Sequence, residues 1–178
     1  MNASIRGQGD EVRFVVEDAD AATAALLSAQ FYAEADGRFE KRFRRHDLLF
    51  PHDFQAIEAS WVRYLREARD RRVTPAAVDG ALAWVADRHA EAGVDWWLAG
   101  SAALYVRGID LLPHDIDVMS YLREADALAP VVEGSIVEPF QRVPEVTTHL
   151  RSNEARGRLD RVALIHEYVE RGEGDRRR

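Results

Sequence analysis

The alternation of apolar and polar residues predicts a small mixed unit in the first fifty residues. Residues 12–17 alternate as a strand with one buried face does, and the alanine-rich residues 18–30 predict a short helix. Residues 31–35 and 38–43 predict two further strands. They flank Asp36-Gly37, a dipeptide typical of a tight hairpin turn. The pattern therefore predicts a β-α-β-β module.

Two helices are predicted next. Residues 54–72 repeat apolar side chains at helical spacing, which indicates one buried stripe. Thr74-Pro75 then combines a helix cap with a proline suited to the first helical turn, and Gly93 is a typical helix stop, so a second helix is expected over residues 76–92. We place a domain boundary near Phe50-Pro51.

Beyond Gly93 the pattern changes to strand, helix, strand. Residues 94–99 predict a buried strand, 101–107 a short helix and 115–120 a second strand. The remaining elements are a helix at 122–133 and strands at 136–140, 146–150 and 162–169. The prediction is therefore an α+β chain with two parts: an accessory module in residues 1–50, then a linking helix and a catalytic-type domain in residues 51–178.

Composition limits the classes of function. The chain has 178 residues, 47% of them hydrophobic, and contains no cysteine, which excludes disulfides and thiolate metal sites. No apolar run approaches the ~20 residues of a membrane span, so a cytoplasmic protein without membrane contact is expected. The net charge of −7 is unfavourable for generic binding of duplex nucleic acid, but it does not exclude a nucleotide substrate whose charge is offset by metal ions.

The segment after the predicted buried strand carries the first candidate chemistry. Gly100-Ser101 follows that strand and opens a predicted helix. Glycine allows a ligand to approach the backbone, and the free N–H groups of a helix start attract phosphate. Ser101 can either cap the helix or donate its hydroxyl to a phosphate oxygen.

A pair of carboxylates follows after a spacer of thirteen residues. Asp115 and Asp117 lie at positions i and i+2 of a predicted strand, so both are expected on one face, with Ile116 on the other. Two aligned carboxylates supply the hard oxygen ligands that Mg²⁺ or Mn²⁺ prefers, with positions left for substrate phosphates. We therefore expect a divalent-cation site at Asp115 and Asp117.

A hydrophobic strand, Gly-Ser, a spacer and Asp-x-Asp together resemble the DNA polymerase β-like nucleotidyltransferases. The resemblance covers about half the chain and is closest to small stand-alone members similar to kanamycin nucleotidyltransferase and AbiEii-type proteins. It implies a mixed sheet with packed helices and metal-dependent transfer of a nucleoside monophosphate from an NTP. It also implies that Gly100 and Ser101 bind phosphates, and that Asp115 and Asp117 bind metal.

Relatives add a third acid on a later strand, and the resemblance points to Glu167, with Asp160 as the competitor. Arg107, at the end of the predicted helix, is either a substrate-phosphate contact or a helix-terminal cation.

The predicted function is therefore transfer of a nucleotidyl group from ATP or another NTP to a hydroxyl of a small molecule, protein or RNA end. The alternative is a non-catalytic, degenerate nucleotidyltransferase that acts as a nucleotide-binding or toxin–antitoxin-type interaction module. A homodimer is also expected, because the accessory module would present an open sheet edge.

Overall fold

The computed structural model describes residues 1–49, 51–68, 73–113, 115–120, 124–144, 153–159 and 164–169. At positions 68, 125, 142–144, 153–159 and 164–169 only the backbone is described. The elements form two sheets with helices packed on them, so the α+β class predicted from the sequence is confirmed.

The first sheet is built from the N-terminal residues. Its strands are β1 (Asn2–Gln8), β2 (Glu11–Glu17), β3 (Ala33–Ala35) and β4 (Arg38–Arg44), in the antiparallel order β1-β2-β4-β3. Helix α1 (Ala21–Ala29) lies between β2 and β3 in the chain. The predicted β-α-β-β pattern lacked β1, because its exposed and half-buried residues give no clear alternation. The unit is β-β-α-β-β.

Local signals explain the predicted turns and helix ends. Asp36 and Gly37 have φ of 52° and 71°, the left-handed geometry that a two-residue hairpin turn requires. The next two helices are α2 (Phe54–Ala68) and α3 (Pro75–Ala92). Thr74 caps α3 by accepting a 3.2 Å hydrogen bond from the backbone N–H of Ala77, and Gly93 ends it in the left-handed conformation.

The second sheet contains the remaining strands, which are β5 (Trp96–Leu98), β6 (Val118–Ser120), β7 (Ile136–Pro144), β8 (Asn153–Leu159) and β9 (Leu164–Val169). Their order is β5-β6-β9-β8-β7, with β6 and β9 parallel and the other neighbours antiparallel. Helix α4 (Gly100–Tyr105) connects β5 towards β6, and α5 (Ala125–Val132) precedes β7. The strand predicted at 146–150 lies outside the described residues, and β8 was not predicted.

The two sheets share one hydrophobic core. Trp61 of α2 packs edge-on against Phe14 of β2, with ring centroids 4.9 Å apart. The backbone N–H of Leu49 donates to the carbonyl of Phe140 on β7 at 2.9 Å. Lys41 of β4 forms a 2.7 Å ion pair with Glu138 of β7. The N-terminal strands thus form a sheet of their own that is packed against the rest, and a division at Phe50-Pro51 stays a prediction.

Among the helices that the structure describes, none is both long enough and apolar enough to cross a bilayer.

Candidate functional site

The candidate site lies where β5 and β6 end side by side. These strands are antiparallel, and Leu98 pairs with Val118. One residue beyond that pair, the backbone N–H of Ala99 donates a 3.0 Å hydrogen bond to the carbonyl of Asp117. The register of two short strands therefore brings the Gly100 turn and the second aspartate together, although they are seventeen residues apart in the chain.

Gly100 is in direct contact with the Asp117 carboxylate. Its φ is +55°, in the region that side chains with a Cβ disfavour. A Cβ placed on Gly100 would overlap Oδ2 of Asp117 and lie 3.3 Å from its Cγ. Both conformation and space therefore require glycine here, and the carboxylate is seated on the turn that starts α4.

Burial alternates along the aspartate segment. Ile116 and Val118 are fully buried, whereas Asp115 and Asp117 are partly exposed. The strand is shorter than the predicted 115–120, since Asp115 makes only a single β-bridge and β6 begins at Val118. Burial nevertheless alternates every second residue, as in a strand, which places Asp115 and Asp117 on the face opposite Ile116 and Val118.

Ser101 and Arg107 take different positions relative to the turn. The cap of α4 is Ala99, which makes no capping side-chain bond, and Ser101 is the second residue of the helix. The option that Ser101 caps α4 is therefore wrong, because the chain enters the helix one residue earlier than predicted. Arg107 is exposed and follows the other end of α4, roughly 10 Å from Gly100 at the helical rise per residue.

The third carboxylate is located only by its backbone. Position 167 on β9 pairs in parallel with Met119 on β6, two residues after Asp117. Asp160 lies outside the described residues. Among the residues whose side chains are described, no group of three His, Cys, Asp or Glu residues could hold a metal ion. A third ligand at Glu167 therefore stays a prediction.

Two residues that the sequence did not single out attach α4 to α3. The hydroxyl of Tyr105 donates a 3.0 Å hydrogen bond to Oδ1 of Asp79. This bond raises the pKa of Tyr105, because it stabilises the protonated phenol. The sequence feature that could have indicated this contact is Tyr105 itself. It ends a six-residue helix, and so short a helix is not stable without tertiary contacts.

His89 of α3 packs against β5, the strand that leads into the Gly100 turn. It is buried on α3, and its Nδ1 lies 2.8 Å from the carbonyl of Val85. Its ring lies 5.1 Å from the indole of Trp96 on β5. Burial lowers the pKa of His89, because the charged imidazolium would lose its hydration there. We therefore assign His89 to the packing beneath β5.

Comparison with solved structures finds a likeness in fold. No protein-family model matches the chain, and no curated protein sequence matches it. A solved structure from Thermotoga maritima, of a protein proposed to be a nucleotidyltransferase, is similar with a TM-score of 0.42 and 18% sequence identity. The likeness covers 56% of this chain and 59% of that chain.

Proposed function

We propose that this protein is a metal-dependent nucleotidyltransferase that transfers a nucleoside monophosphate from an NTP, with ATP as the first candidate, to an acceptor hydroxyl. One observation carries the proposal: the Asp117 carboxylate lies against Gly100 at the turn that opens α4. A turn that binds phosphate and an acid that binds the metal can act on one NTP only if the two are adjacent. In this chain Gly100 and the Asp117 carboxylate are in van der Waals contact.

The turn supplies the phosphate-binding half of the proposed site. The first N–H groups of a helix have no partner within the helix, and they are oriented towards its N-terminus. Gly100 itself is exposed to solvent beside the Asp117 carboxylate, and the half-buried Ser101 follows one residue later with its hydroxyl. These groups would hold the β- and γ-phosphates of the NTP. Arg107, at the other end of α4, would contact the acceptor or a more distant phosphate.

The carboxylates supply the metal-binding half. Asp115 and Asp117 are partly exposed acids with hard oxygen donors, and this donor set fits Mg²⁺ or Mn²⁺. When bound, such an ion would neutralise phosphate charge during in-line displacement. The parallel backbone pairing of position 167 with Met119 puts β9 beside the strand that follows the aspartates, which supports Glu167 as the third acid. It would act as the base for the acceptor hydroxyl.

The experiment is a transfer assay with α-labelled NTPs, Mg²⁺ and a cell extract. Label should appear on an acceptor with the wild-type protein and be lost with Asp117→Asn. Asp87→Asn is the matched control, because it makes the same change at an exposed position of α3 and should leave transfer intact. Labelling that persists in Asp117→Asn would disprove the assignment.

A second candidate is a nucleotide-binding module without catalysis, acting by interaction as one half of a toxin–antitoxin-type pair. Its support is that, among the residues whose side chains are described, no group of three His, Cys, Asp or Glu residues could hold a metal ion. Calorimetry separates the two proposals. NTP binding that requires Asp115 and Asp117, with no labelled acceptor in any extract, would favour the non-catalytic module.

A further inference from the structure

The first sheet carries a row of arginines across three neighbouring strands. Arg6 of β1 pairs with Arg13 of β2, and Arg13 pairs with Arg42 of β4. Residues paired across antiparallel strands share a face, so the three arginines are immediate neighbours on it. At the usual spacing of strands the row crosses roughly 10 Å. We call the face that carries this row the arginine face.

The arginine face is the solvent side of the sheet. The alternate residues of β2, namely Val12, Phe14 and Val16, are buried in the core. The arginines occupy the opposite parity, which also holds the buried Val15, and the side chains of Arg6 and Arg42 are 52% and 58% exposed. The two outer arginines of the row are therefore accessible to a partner.

The charge of the arginine face differs from that of the whole chain. The neighbouring cross-strand rows add Arg38 and Arg44, together with Glu11, Glu17 and Glu40. Five arginines and three glutamates give this face a charge of +2 within a chain of net charge −7, so the remainder carries −9. Cationic charge is thus concentrated on one face of an acidic protein.

The arginines are held by contacts that a stronger partner can replace. Arg13 pairs with Glu11 at 2.7 Å, Arg6 with Glu17 at 3.3 Å, and Arg42 with Glu40 at 2.5 Å. Ion pairs between side chains that reach solvent contribute little to stability. Like charges opposite each other in a sheet are unfavourable, so the row itself costs stability. Phosphate groups would relieve that repulsion and accept bidentate bonds from guanidinium groups.

We infer that the arginine face binds the phosphate backbone of a single-stranded nucleic acid. Guanidinium planes also stack on unpaired bases, which a duplex does not present. The uncharged exposed or half-buried positions of β1 on this face are Asn2, Ser4 and Gln8, whose side chains can hydrogen-bond to sugars and base edges. Attachment to a membrane surface would instead use large exposed apolar side chains beside the cations, whereas Val15, the large apolar residue in these rows, is 2% exposed. The inference does not depend on the proposed transferase activity.

The test is fluorescence anisotropy of a labelled oligouridine of about twelve nucleotides with the full chain at several salt concentrations. Three phosphate contacts predict a slope of log K against log salt of about −2, since each contact contributes about 0.7 on a single strand. Arg13→Gln/Arg42→Gln should reduce the slope by about 1.4 and weaken binding at least about tenfold at low salt. The matched control is Arg66→Gln/Arg88→Gln, which removes the same charge from α2 and α3.

A gain-of-binding variant guards against misfolding as an explanation. Glu11→Gln/Glu17→Gln removes two competing carboxylates and should raise the affinity several-fold. Asp117→Asn should bind as the wild type does, which separates this inference from the proposed active site. The inference is overturned if the two arginine substitutions change binding no more than the control pair does.

Further arms of the same assay identify the polyanion. An oligodeoxythymidine of the same length distinguishes DNA from RNA, and either one binding through Arg13 and Arg42 supports the inference. Equal or tighter binding of duplex RNA would overturn the preference for single strands. Arginine-dependent binding only to vesicles of phosphatidylcholine with about one-third phosphatidylglycerol would replace nucleic acid by an anionic membrane and overturn the inference.

Discussion

Replacing Gly100 by alanine tests the contact on which the proposed site rests. Two costs add at this position. A residue with a Cβ is disfavoured in the left-handed region by roughly 1 kcal/mol. The new Cβ would also overlap Oδ2 of Asp117, so the carboxylate must leave its rotamer, at a further cost of about 1 kcal/mol. Gly100→Ala should therefore lower the free energy of unfolding by about 2 kcal/mol.

The chain offers a control that separates these two costs. Gly108 also has a positive φ, of 81°, but no atom lies within 4 Å of a Cβ placed there. Gly108→Ala should therefore show only the backbone cost of about 1 kcal/mol. In the background Asp117→Ala the carboxylate is absent, and Gly100→Ala should then cost no more than Gly108→Ala does. This double-mutant comparison isolates the contact itself.

Urea denaturation measures the difference, provided that the slope with denaturant is unchanged between variants. For a chain of this size, 1 kcal/mol corresponds to about 2–4 °C in Tm, so thermal melts should place Gly100→Ala below Gly108→Ala by that interval. NTP affinity measured by calorimetry should fall in Gly100→Ala and be preserved in Gly108→Ala. Equal destabilisation by both substitutions would refute the contact between Gly100 and Asp117.

Three further predictions concern the metal, an acid-sensitive histidine and the buried ion pair. Chelation with EDTA, or the double substitution Asp115→Asn/Asp117→Asn, should abolish NTP binding in calorimetry, and equal affinity with and without divalent cation would contradict the site. Burial of His52, partly offset by its hydrogen bond to the Phe140 backbone, lowers its pKa from 6.5 to about 4. The folded protein therefore binds this proton less readily than the unfolded chain, and stability should fall between about pH 6.5 and pH 4 by up to about 3 kcal/mol. His52→Gln should flatten that fall in urea titrations, and an unchanged pH profile would disprove the burial. Lys41→Met should cost up to about 3 kcal/mol because it removes the ammonium group 2.7 Å from the buried Glu138 carboxylate, and adding Glu138→Gln should recover at least half of that loss; additive losses would contradict the pairing.

The sequence predicted elements best where local chemistry determines them. The Asp36-Gly37 turn and the Thr74 cap of α3 depend on residues a few positions apart, and both appear as predicted. Strands β1 and β8 were missed for the opposite reason. Asn2–Gln8 and Asn153–Leu159 are rich in polar residues, so their strand form depends on pairing with distant neighbours rather than on an apolar alternation.

At the candidate site too, the sequence indicated residue types but not the contacts between distant residues. The residue types of Gly100 and Asp117 indicated phosphate and metal chemistry from the sequence alone. Their contact depends on the register of β5 with β6, which no local pattern specifies. The role of Ser101 as a helix cap was wrong because α4 begins at Gly100, so that the cap position is Ala99.

The ion pair between Lys41 and Glu138 has a consequence for the order in which the chain matures during synthesis. The two residues are 97 positions apart. At a translation rate of about 5–20 residues per second, Lys41 emerges from the ribosome roughly 5–20 s before its partner does. Phe14 and Trp61 are both synthesised before Glu138. The first sheet can therefore pack against α2 while the ammonium group of Lys41 is still hydrated. The residues of the N-terminal sheet and of α2 are therefore all present in the nascent chain before β7, which carries Glu138, has been synthesised.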